Sequence, residues 1–144
     1  MSGTRVIVLV IGAALVAASI LSYTMGRPQE ELSRQELESY TGTTLPVRIF
    51  DLHALRYKGL VFARFELEPS ELAEWQKSLS GWEEGLRPRG MELKLERDWW
   101  KPGELTEVTG RQVSGVSLMA AAASGNRVVC YMFGDGGEML PSNP

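Results

Sequence analysis

The chain has 144 residues, with 15 Lys and Arg against 18 Asp and Glu, a formal net charge of -3. No basic stripe interleaved with aromatics is present to neutralise a run of phosphates, so the composition argues against nucleic-acid binding. One cysteine, Cys130, and one histidine, His53, exclude an internal disulfide and a zinc site of His/Cys type.

The chain opens with a short polar tail, residues 1–5. "VIVLVIGAALVAASILSYTMG", Val6 to Gly26, follows without a charged side chain. Roughly 20 apolar residues at about 1.5 Å rise per residue cross a hydrocarbon core about 30 Å thick, so this stretch predicts a transmembrane helix. A secretory apolar region is shorter, about 7–15 residues, and ends at a small-residue cleavage site. Cleavage after Val16-Ala17-Ala18 would leave the apolar "SILSYTMG" as a new terminus, which favours an uncleaved signal anchor. Lipidation needs a cysteine near the cleavage site, and Cys130 lies far from it. Arg5 before the span is balanced by Arg27 and Arg34 after it. The expected location is a single pass through the plasma (inner) membrane, with the soluble domain on the periplasmic or extracellular side by resemblance to a signal-anchor layout. Ala14, Ala18 and Ser22 recur every four residues on one face of the span, where small side chains let two helices approach closely.

Residues 27–46 are polar. Pro28 suits a first helical turn, and Glu30 with Arg34 and Glu31 with Gln35 stand at the spacing of supporting pairs. A helical stalk ending at Gly42 is expected, spacing the domain from the bilayer. The folded domain is expected over 47–140, with residues 141–144 as a tail.

Within that domain "PVRIFDL" suggests an edge strand. "GLVFARFELEP" alternates Val61, Ala63, Phe65 and Leu67 with Phe62, Arg64 and Glu66, the period of a half-buried strand. "EPSELAEWQKSLSGW" predicts a helix, with Pro69 in its first turn, Glu71 near its positive end, and Leu72, Trp75 and Leu79 on one face. Trp82 follows Gly81, placed to close over Trp75. "MELKLE" alternates Met91, Leu93 and Leu95 with charged residues and reads as another strand. "VSGVSLMAAAA" and "RVVCYMF" read as two strands joined through Ser124-Gly125-Asn126. The expected fold class is α+β: an antiparallel sheet of four to five strands with one packed helix.

Chemistry is scarce. Cys130 in its apolar run reads as a small hydrophobe. The "GDGG" stretch, Gly134 to Gly137, follows the last strand with no helix after it, so the dipole of a phosphate loop is lacking. Most glutamates, such as Glu66, Glu92 and Glu96, fall at positions the alternation sends to water. Asp51, Asp98 and Asp135 stand beside apolar or turn residues and read mainly as turn caps. A carboxylate-dependent enzyme would need Asp51 or Asp98 beside His53, with two carboxyl groups converging in one pocket.

"RDWWKPGE" carries the expected partner interface: Trp99, Trp100, Lys101 and Pro102. Adjacent residues of an extended chain point to opposite faces. Continuing the Met91-Leu93-Leu95 register sends Trp99 inward and leaves Trp100 outward, as an anchor for a partner or a lid on the sheet edge.

The span and domain together resemble the layout of small bacterial envelope proteins, a likeness of architecture that carries no residues with it. The expectation is a non-catalytic, membrane-anchored accessory or scaffold subunit of a larger complex. Its partners are the bilayer and integral membrane proteins, with no cofactor, metal or nucleic acid. The alternative is a tethered binding module for an envelope glycan or peptide, and behind it stands the carboxylate enzyme.

Overall fold

The computed structural model describes residues 29–122 and 125–135. The expected span, with Ala14, Ala18 and Ser22, lies outside the described residues, as do Ser124 of the expected turn and the last two glycines of "GDGG". Among the described residues no helix is long and apolar enough to cross a membrane.

The strands are β1 (Glu30–Glu31), β2 (Phe50–Tyr57), β3 (Leu60–Leu67), β4 (Glu83–Glu84), β5 (Thr109–Val113), β6 (Val116–Ala122) and β7 (Val128–Gly134). They form one seven-stranded sheet in the order β1-β2-β3-β7-β6-β5-β4. The registered pairs from β2 to β4 across that order are antiparallel. Two helices, α1 (Arg34–Thr41) and α2 (Pro69–Ser78), and one 3-10 turn (Pro102–Glu104) complete the described elements. The α+β class holds. The expected four to five strands become seven because β1 and β4, two residues each, extend its edges.

Two tight turns missed in the sequence set the register. Lys58-Gly59 joins β2 to β3 and Ser114-Gly115 joins β5 to β6, all four residues at positive φ. That is the twist a two-residue hairpin loop needs. The second turn splits "VSGVSLMAAAA": Val113 closes β5 and Val116 opens β6. The expected pairing of the last two strands is present, with Ala120 opposite Cys130.

Both faces of the sheet are covered. On the first, Val61, Ala63, Phe65 and Leu67 of β3 and Val128, Cys130 and Met132 of β7 meet Leu37 of α1 and Trp75 of α2. Trp82 packs edge-on against Trp75, ring centroids 5.7 Å apart, as the sequence suggested. The stalk reading of 27–46 is corrected here. Within its described part, Leu32, Leu37 and Leu45 are buried in this core, and the compact unit begins at Glu31. The helix is docked through Leu37 and Thr41, with Leu32 buried just before it and Tyr40 packed against the same core. It starts at a full capping box: Ser33 Oγ accepts from Glu36 N–H, and the Glu36 carboxylate accepts from Ser33 N–H.

The second face is covered by an irregular strap, residues 86–108. The expected strand over Met91–Glu96 is absent. Its backbone runs through turns, with Leu93 N–H donating to Gly90 C=O and Leu93 exposed. Met91, Trp100 and Val108 from the strap pack on Leu55, Phe62, Met119, Tyr131 and Phe133 of the sheet. Gly90 lies at φ +96 against the Phe133 ring, where any Cβ would collide. Phe62, on the face alternation sends to water, is therefore buried.

Candidate functional site

The strand register puts three residues from distant parts of the chain in one row on the second face. His53 of β2 is paired with Arg64 of β3, and Arg64 with Tyr131 of β7. The register between β2 and β3 shifts between Phe50 and His53, where Asp51 sits at φ +51. Such an irregularity re-aims a side chain, and a short polar residue tolerates positive φ. Asp51 thus turns to the same row. Its Oδ1 accepts from His53 Nε2–H at 3.2 Å and its Oδ2 from Arg64 Nη1 at 3.1 Å. The carboxylate can only accept, so the proton on His53 Nε2 is fixed by this bond.

Arg64 also pairs with Glu66 at 3.0 Å, and Glu66 with Arg127 at 3.4 Å. Partial burial works against the Arg64 charge. Hydrogen bonds to Glu66 and Tyr131 and the attraction of the Glu66 carboxylate outweigh it and hold the guanidinium above its ordinary pKa. Glu66, expected in water, belongs to this ion network.

The tryptophan pair is split between the two environments, in the opposite sense to the one expected and at a turn rather than along a strand. Trp100 is 4% exposed, its Nε1–H donates to Leu93 C=O at 3.0 Å, and its ring stands edge-on to Phe62 and Tyr131 at 5.0 and 5.4 Å. Trp99 is the half-buried member and stacks on the His53 imidazole, 5.6 Å between centroids and 15° between planes. The inversion follows from the missing strand, since turns through Met91–Glu96 leave no alternating register to carry forward. Lys101 is exposed, and Pro102 is buried at the start of the 3-10 turn.

Asp51, His53, Arg64, Asp98, Trp99, Lys101, Glu104 and Tyr131 line one cleft of about 440 Å³. The sequence had singled out five of these, Asp51, His53, Asp98, Trp99 and Lys101, from two separate stretches; the fold brings them together. Arg64, Glu104 and Tyr131 were missed. Arg64 stood on the face assigned to water, and Tyr131 joins only through strand pairing. The arrangement sets an aromatic wall beside two cations and three carboxylates, suited to reading a ligand's charge and hydrogen-bond pattern; with Asp51 beside His53 and Asp98 in the same cleft, it also meets the condition set for a carboxylate-dependent enzyme.

Elsewhere, burial pushes the Cys130 thiol far above its ordinary pKa, more than a backbone hydrogen bond from Met119 lowers it. Its burial fits the small-hydrophobe reading. Among the described residues no group of three or more His, Cys, Asp or Glu is placed to hold a metal ion. Comparison of the chain with family models, curated proteins and solved structures finds no match.

Proposed function

We propose that the chain is a non-catalytic accessory or scaffold subunit of a larger membrane complex. It is held by the Val6–Gly26 span, and its α+β domain contacts partners through the Trp99 cleft. The observation that carries this reading is the His53–Trp99 stack. An indole left half open to solvent, yet fixed by stacking and by the Asp51 bond to its neighbour, presents apolar area that loses little entropy on docking. The Ala14-Ala18-Ser22 face of the span supplies the contact within the bilayer.

The test is affinity purification of the full chain from mild detergent, followed by mass spectrometry. Membrane proteins that co-elute with the wild type and disappear with Trp99→Ala support the reading; a lone monomer overturns it. Replacing Ala14 and Ala18 by Leu should weaken the same assembly.

A second reading is favoured by one feature of the cleft. Aromatic wall, carboxylates and arginine together suit a glycan or short peptide, whose apolar faces stack while its polar groups hydrogen-bond. Retention of an envelope glycan by the purified protein, lost in Trp99→Ala and unaccompanied by any protein partner, would select this alternative.

A further inference from the structure

On the opposite face of the sheet from Trp99 lies a larger cleft, about 650 Å³, between α2, the 41–47 loop and the β5–β6 hairpin. Its walls are built rather than loose. Arg34 donates to the carbonyls of Val47 and Leu45, both at 3.0 Å. The Glu38 carboxylate accepts from Leu45 N–H at 2.7 Å, and Trp75 Nε1–H donates to Thr44 C=O at 2.8 Å. These four bonds fix the 44–47 backbone as one wall, and Leu45, Val47, Leu79, Val113 and Val116 are among the residues that line the cleft.

Arg111 lines this cleft. It is 9% exposed and is the only charged side chain that is buried among the described residues. Its Nε–H donates to the Ser80 carbonyl. Among the described residues neither Nη group has an acceptor. Burial lowers the Arg111 pKa, and no neighbouring carboxylate offsets it. A buried charge is ordinarily paired, because removing it from water without a counter-charge is unfavourable. Here the residue is placed by strand alternation. Arg111 stands opposite Leu118, and Val113 opposite Val116, so its side chain leaves the sheet on the face where the cleft opens.

We infer that this cleft is a binding site for a monocarboxylate with an apolar substituent, its carboxylate on the two Nη groups of Arg111 and its apolar part among Leu45, Leu79 and Val113. A guanidinium fork matches a planar carboxylate in two parallel hydrogen bonds. The apolar lining beside it favours an organic acid over an inorganic ion. Glu71 also lines the cleft and Glu74 is paired with Lys77 at 3.4 Å, so the remaining negative charge weighs more against a dianion such as phosphate than against a monocarboxylate. The volume lies in the range of small-ligand sites, about 300–1,000 Å³. The carboxylate could belong to a free acid or to the end of a peptide, and these share the chemistry named.

The experiment is calorimetric titration of the full chain in detergent with four probes: N-acetyl-leucine, the peptide acetyl-Gly-Val-Leu, the same peptide as its C-terminal amide, and inorganic phosphate. Saturable binding of either carboxylate, at least tenfold tighter than the amide and phosphate, supports the site. Equal affinity for the two acids assigns a free acid, and tighter binding of the peptide assigns a chain end. Arg111→Gln should weaken carboxylate binding at least tenfold, and Arg111→Lys, which keeps the charge but not the fork, by less. Trp99→Ala should leave it unchanged, because the two clefts lie on opposite faces. Equal binding of acid and amide by the wild type, or no binding of either acid, overturns the inference without reference to any variant.

Discussion

The two faces of the sheet are covered in different ways. The first face carries α1 and α2, whose apolar stripes meet the inward residues of β3 and β7 in one continuous core. The second carries a strap with almost no regular structure, fixed by Met91, Trp100 and Val108 and by the close approach of Gly90 to Phe133. Helices satisfy their own backbone groups, so on this face polar side chains gather where α2, the 41–47 loop and the β5–β6 hairpin meet around the Arg111 cleft. A strap bonded at scattered points leaves polar residues along its border, and there His53, Arg64 and Trp99 open to solvent. The better-ordered layer supplies most of the core, and the irregular one borders the Trp99 cleft that we propose meets a partner.

The strongest break in this comparison is truncation of a core side chain on each face. Phe65→Ala on the helix face should destabilise the fold by about 3–5 kcal/mol, the range for a fully buried aromatic. Trp100→Ala on the strap face should fall in the same range, measured by denaturant unfolding of the full chain in detergent. A Trp100→Ala loss below about 1 kcal/mol would show that the strap is not part of the cooperative core. In hydrogen exchange, strap amides should open before those of β3 and β7, since they lack a strand ladder.

A narrower cut is Gly90→Ala, expected to lose about 2–4 kcal/mol from collision with Phe133 and strain at positive φ. Next comes Ser33→Ala, which removes the capping box of α1 at about 1 kcal/mol; no change would mean that the helix is held by Leu37 and its Arg34 and Glu38 bonds without the cap. The smallest stability effect belongs to Trp99→Ala, within about 0.5–1 kcal/mol because the indole is half open, while partner capture is lost. Cys130 sharpens the contrast chemically. Buried, with its thiol pKa raised, it should resist iodoacetamide in the folded protein and react on unfolding, as mass spectrometry would show.

Some of this was legible in the residues and some was not, and the split has a cause. Alternation in β3 and 3.6-residue spacing in α2 are local signals, and both elements stand where the sequence put them. Cys130 and Trp75 were read correctly for the same reason. "MELKLE" carries an equally clean alternation but forms no strand. The chain here follows Gly90 onto Phe133, a contact between residues 43 positions apart that no local pattern records. The tryptophans inherited that error. The Ser33-Glu36 capping box was present in the sequence and would have marked α1, yet only tertiary packing shows that Leu37 docks rather than faces water.

By itself, then, the sequence determined the α+β class, the helix of Pro69–Ser78, the strand of Leu60–Leu67, the pairing of the last two strands and the expectation of an apolar anchor. These follow from backbone sterics and hydrophobic period within a few residues. Tertiary structure alone decided that both sheet faces are buried, that Trp99 rather than Trp100 meets solvent, and that Asp51, His53, Arg64 and Asp98 share a cleft while Arg111 lines another. Strand pairing and side-chain packing join residues far apart in sequence, and their energies are set by neighbours that the local chain does not contain.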